Sequence, residues 1–175
     1  TDEEVGMEGA SALDVSDLRA KRLINIDNEE EGVLLVSCAG GATAQVTFRQ
    51  EKTTCSGEML TLSVSGLTGG HSGTEIAKHP LNASILLGRI LAQAYEDHPF
   101  QILSFTGGDK DNVITREATC HMVCDTDAAA LAQSLQKHAQ ICVEEVHSAE
   151  PRIQFEVQRE PISHTECFGS GFTEV

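Results

Sequence analysis

The stretch Glu58-Met59-Leu60-Thr61-Leu62-Ser63-Val64-Ser65 puts Leu60, Leu62 and Val64 on one side of an extended chain and Thr61, Ser63 and Ser65 on the other. This period of two marks a half-buried β-strand. Downstream, between Leu81 and Tyr95, the apolar residues Ala83, Leu87, Ile90, Leu91 and Ala94 return at three- and four-residue steps. That spacing predicts an amphipathic helix, with Pro80 suited to its first turn. Phe100 to Phe105 and Ala118 to Cys124 read as strands. Asp125 or Thr126 caps a helix that runs to about Val146, with Leu131, Leu135, His138 and Cys142 on one stripe. Ile153, Phe155 and Val157 close with a last alternating strand. The order from Glu58 to Glu160 is therefore β-α-β-β-α-β, a ferredoxin-like α+β module. Ala44, Val46 and Phe48 predict one extra strand before it. Two helices should cover one face of the antiparallel sheet, leaving a Thr- and Ser-rich face to a partner or to solvent.

Upstream the texture differs. Met7 to Leu13 can start a helix after Gly6, and Leu23 to Asp27 and Gly32 to Cys38 read as buried-type strands, in the manner of a piece of an α/β domain. Ala39-Gly40-Gly41 breaks the pattern. The expected division is residues 1–40 against residues 41–175. Thr1-Asp2-Glu3-Glu4 looks like the end of a strand that starts earlier, and the run after Gly169 has no terminal element, so the chain reads as a piece of a larger protein.

Composition narrows the class. The formal net charge is -15, with 12 Lys and Arg against 27 Asp and Glu, which argues against a nucleic-acid partner. No apolar run approaches the ~18 residues of a membrane helix, and no basic, signal-like leader is present. Cys38, Cys55, Cys120, Cys124, Cys142 and Cys167 show neither a CxxC pair nor the spacing of a disulfide scaffold. Reduced thiols in an acidic cytoplasmic enzyme fit this balance, and Cys120 and Cys124, alternating with Met122 on a strand, read as small core residues.

Three groups of residues can carry chemistry. Glu3 and Glu4 are adjacent carboxylates at a strand end. They are either solvated acids near a helix start or a pair with split roles, one binding a metal and the other taking a proton from metal-activated water. Asp27, at another strand end, can serve a second metal, whereas Glu29, Glu30 and Glu31 read as a solvated turn. In Gly66-Leu67-Thr68-Gly69-Gly70-His71-Ser72-Gly73 the glycines either serve a tight turn alone or leave the His71 imidazole unhindered to bond a substrate carbonyl. Asn112 and Arg116 follow a second glycine-rich bend, Gly107-Gly108. Arg116 is either a surface charge or a bidentate partner for a terminal carboxylate. The remaining histidines lack ligand spacing, and neither glycine pair forms a nucleotide-binding motif.

The runs TDEEVGMEGA, LINIDNEEEG, SGLTGGHSGTEI with the helix NASILLGRIL, and GGDKDNVITREA occur in one order between Thr1 and Ala118. Together they resemble the aminoacyl-histidine dipeptidases, also called Xaa-His or cytosol nonspecific dipeptidases, of the dizinc metallopeptidase superfamily. The resemblance implies zinc-dependent hydrolysis of dipeptides, often with C-terminal histidine, and two zinc ions in the complete enzyme. It implies that residues 1–40 belong to the catalytic domain and residues 41–175 to the lid. Glu3 would be the general base, Glu4 and Asp27 zinc ligands, and His71 the lid histidine that stabilises the carbonyl oxygen. Asn112 and Arg116 would hold the substrate's C-terminal end.

Two local departures stand out: Thr115 replaces a usual proline, and Lys78-His79-Pro80-Leu81 replaces a glycine- and asparagine-rich stretch. The family's upstream histidine and bridging aspartate and its downstream ligand histidine have no counterpart here. The chain alone is therefore expected to be inactive and to bind zinc weakly, its partner being the remainder of the catalytic domain. Two other readings stay open: a lid acting mainly as a dimerisation or binding module, pairing with a second copy, and a related amidohydrolase of acylated amino acids.

Overall fold

The computed structural model describes residues 7–26, 30–37, 40, 42 and 44–169. The chain divides into two compact units, Thr1–Phe48 and Arg49–Val175. In the first, the described residues carry one short helix, α1 (Glu8–Ser11). The expected strands at 23–27, 32–38 and 43–48 do not form where they are described, and their side chains face solvent, with Leu34 and Val36 92% and 96% exposed. A strand is held by ladder bonds to a neighbour, and no strand is found among the described residues of this unit. Apolar alternation alone does not fix the backbone.

In the second unit the chain runs β1 (Lys52–Ser65), β2 (Gly70–His71), a 3₁₀ turn (Ile76–Lys78), α2 (Ala83–Asp97), β3 (Gln101–Gly107), β4 (Val113–Ile114), β5 (Ala118–Cys124), α3 (Ala128–Val146) and β6 (Gln154–Phe168). The main sheet has the order β3-β5-β1-β6, and every pairing is antiparallel. This is the expected ferredoxin-like arrangement, with the β2–β4 ribbon added. The last strand extends well past the expected Val157: register holds from Ser65↔Gln154 out to Lys52↔Phe168, interrupted by a bulge at Cys55–Gly57.

The helices begin where side chains satisfy their first amides. Asn82 Oδ1 accepts from the Ser84 and Ile85 N–H groups at 2.9 and 3.3 Å, so Asn82 caps α2 and Pro80 lies before the helix rather than in its first turn. Asp127, not Asp125 or Thr126, caps α3, accepting from the Ala130 N–H at 2.9 Å. Leu86, Leu87, Ile90 and Leu91 of α2 and Leu131, Leu135 and Cys142 of α3 pack on Leu60, Leu62, Cys120 and Met122 of the sheet. Burial pushes the Cys120 thiol up to about 12, in keeping with a small apolar core residue. The described cysteines are all free.

The opposite sheet face is only partly open. Cys55, Val123 and Cys167 form a second small buried cluster there, and Thr61 Oγ1 lies 2.9 Å from His121 Nδ1 on adjacent strands.

Candidate functional site

The glycine-rich loop after β1 is fixed from behind. Gly66 has φ of +82°, and a Cβ there would stand 2.0 Å from the Arg152 carbonyl oxygen, so only glycine permits this turn against the start of β6. The next anchor is Glu150, a carboxylate only 3% exposed. Its Oε2 accepts from both the N–H and the hydroxyl of Thr68, each at 2.8 Å. A buried carboxylate bonded by a backbone amide and a hydroxyl is a strong tie.

From this anchor β2 pairs with β4, Gly70 opposite Ile114 and His71 opposite Val113. The Ser72 N–H donates to the Asn112 carbonyl at 2.9 Å, continuing the ribbon. Arg116 folds back across the same loop. Its Nε–H donates to the Leu67 carbonyl at 3.3 Å, and its methylenes lie on Gly69 (φ +65°), where a Cβ would come within 2.3 Å of Arg116 Cγ. Among the described residues no carboxylate pairs with this guanidinium. Arg116, Ile114, Thr115, Gly108 and Asp109 help line an open cavity of about 520 Å³. Thr115 holds the turn carrying Arg116 to the helix start, its carbonyl accepting the Ala83 N–H at 2.9 Å.

His71 itself is exposed. Its backbone N–H donates to Glu75 Oε2 at 3.1 Å, and Lys78 Nζ bonds the other carboxylate oxygen at 2.7 Å. The Lys78 bond first, and then the His71 amide, hold the Glu75 carboxyl below the usual carboxylate range. The imidazole Nδ1 accepts from the Gly73 and Thr74 amides at 3.0 and 3.3 Å. Nε2 is therefore the nitrogen left to donate to a ligand.

The structure thus brings three of the expected residues, His71, Asn112 and Arg116, onto one ribbon and its flanking turn. Glu3, Glu4 and Asp27 lie outside the described residues. Among the described residues no group of three or more His, Cys, Asp or Glu is placed to hold a metal ion. Glu150 and Glu75 were not legible as site residues. Each is one acid in an acidic chain, and only the fold shows that one is buried against Thr68 and the other sits under the His71 amide.

The second unit is a ferredoxin-like sheet with two helices and an added β2–β4 ribbon that carries His71. No family model matches the chain. Over 135 residues it is 39% identical to the cytosol non-specific dipeptidase of Escherichia coli (strain K12), a match covering 76% of this chain and 28% of the relative. Its structure is similar to that of the aminoacylhistidine dipeptidase from Vibrio alginolyticus, with TM-score 0.61 and 25% identity over 96% of this chain and 35% of that one. The chain is thus similar to these dipeptidases, and it spans about a third of their length. No described helix is long and apolar enough to cross a membrane.

Proposed function

We propose that the chain supplies the lid and part of the catalytic layer of a zinc-dependent dipeptidase acting on Xaa-His dipeptides. His71 donates its Nε2–H to the scissile carbonyl oxygen, and Asn112 and Arg116 hold the C-terminal end of the substrate. The carrying observation is the β2–β4 pairing, which sets His71 beside Val113, the neighbour of Asn112, while Arg116 lies across Gly69 two positions before His71.

The chemistry of each group suits its role. A neutral N–H donor preorganised at a carbonyl stabilises the charge that builds on its oxygen without itself losing a proton. The Arg116 fork matches a carboxylate in plane, and packing on Gly69 limits the conformations it must give up on binding. Glu3 as the proton acceptor and Glu4 and Asp27 as zinc ligands belong to the same proposal, supported by the motif match and by the relatives' dipeptidase names. Zinc, when bound, makes water acidic enough to attack at neutral pH. A cytoplasmic location accords with the name of the Escherichia coli relative.

The test is hydrolysis of β-alanyl-histidine and several ordinary dipeptides by the complete enzyme, with and without zinc, beside the His71→Ala variant. We expect zinc-dependent turnover whose kcat falls by roughly 100- to 1,000-fold in the variant. Turnover of acylated amino acids alone would move the enzyme to the related amidohydrolases. Undiminished activity in the variant would reduce the ribbon to an interaction scaffold.

A further inference from the structure

The His71 side chain is held by the two residues that follow Ser72, and this points to a role for Gly73. Backbone amides only donate, so the nitrogen that accepts from Gly73 at 3.0 Å and Thr74 at 3.3 Å must carry its lone pair inward. In a neutral imidazole the proton then sits on Nε2, facing away from the loop. The same glycine gives the ring its seat. A Cβ built on Gly73 would lie 3.2 Å from both Nδ1 and Cε1 of His71. That is tighter than most contacts a real Cβ makes, so a side chain at this position requires the ring to give by a few tenths of an ångström. The rest of the ring's support is already fixed. The His71 N–H is bonded to Glu75, the Glu75 N–H donates to the His71 carbonyl at 3.2 Å, and Ser72 is bonded to Asn112. The backbone on either side is tied, so a ring that gives way strains the Nδ1 bonds and turns Nε2–H off its aim.

We propose that Gly73 is a positioning residue, whose amide, with that of Thr74, locks His71 as the Nε2–H tautomer and whose missing side chain fixes where that proton points. The kinetic part of the proposal rests on the reading of His71 as the carbonyl donor; the structural part does not.

Two measurements separate them. In the ¹⁵N-labelled chain at pH 8.5, a hydrogen-bond scalar coupling should join the Gly73 amide nitrogen to His71 Nδ1, with Nδ1 showing the chemical shift of an unprotonated nitrogen. Absence of the coupling, with ring nitrogens averaged as in a free side chain, would overturn the lock. In the complete enzyme Gly73→Ala should lower kcat by up to about 100-fold while KM changes less than about twofold, the pattern of a misaimed transition-state contact. Ser72→Ala, which leaves the backbone bonds in place, should keep wild-type kcat. If His71→Ala is damaging but Gly73→Ala is not, the seat is refuted. If neither variant loses kcat while the coupling is present, the lock stands and the donor role of His71 falls.

Discussion

Under the proposed function, Arg116 serves both the fold and the ligand. Its Nε–H is spent on the Leu67 carbonyl and its methylenes on Gly69, which leaves the guanidinium edge at the cavity wall for a carboxylate. Lysine would keep the charge but lose both the fork and the Leu67 bond. Arg116→Lys should therefore raise KM for dipeptides with a free C-terminal carboxylate by roughly tenfold, the size of one charge-assisted hydrogen bond. For the corresponding dipeptide amides, the variant and the wild type should have matching KM values. An equal loss on both substrate series would mean that Arg116 acts only by holding the loop. The residue type and its glycine-rich setting were readable in the chain; the contact with Gly69 was not, because 47 positions separate the two (116 minus 69) and only the β2–β4 ribbon closes that distance.

At the scale of elements, the His71 loop is held by the junction between α3 and β6. Glu150 ends the descent from α3, and its Oε2 takes both donors of Thr68. Glu150→Ala would remove the acceptor of two part-buried bonds from Thr68, an exposed residue that water can partly satisfy, at a cost of about 1 kcal/mol. Thermal unfolding of the second unit should show that loss. Glu150→Gln, which keeps an acceptor oxygen, should cost less; equal stability of wild type and Glu150→Ala would show that the Thr68 bonds contribute nothing net. The strands and helices around this junction were legible from period. Leu60, Leu62 and Val64 alternate and are buried, and Leu87, Ile90 and Leu91 face the sheet as their spacing requires. The caps were less legible, since Asp125, Thr126 and Asp127 are all competent and only the backbone geometry selects Asp127.

At the scale of the whole molecule, the chain carries the ribbon but, by the family resemblance, only two of the zinc ligands, Glu4 and Asp27. Two carboxylates do not fill even one tetrahedral zinc site. The chain alone should therefore bind zinc weakly and hydrolyse no dipeptide, measured by titration calorimetry and by release of free amino acid; tight stoichiometric zinc would contradict this reading. The sequence by itself determined the second unit: the β-α-β-β-α-β order, the inward residues and the identity of His71, Asn112 and Arg116 as candidates all follow from local periodicity and residue chemistry. The same logic failed at Leu23–Ile26, Val33–Val36 and Val46–Phe48, where among the described residues apolar patterning has no neighbouring strand to bond and the side chains stay exposed. Only the tertiary structure decided which nitrogen of His71 donates, that Arg116 lies on Gly69 and that Glu150 holds Thr68. Each of these is a contact between residues or backbone groups whose distance is set by folded geometry, and local pattern carries no information about it.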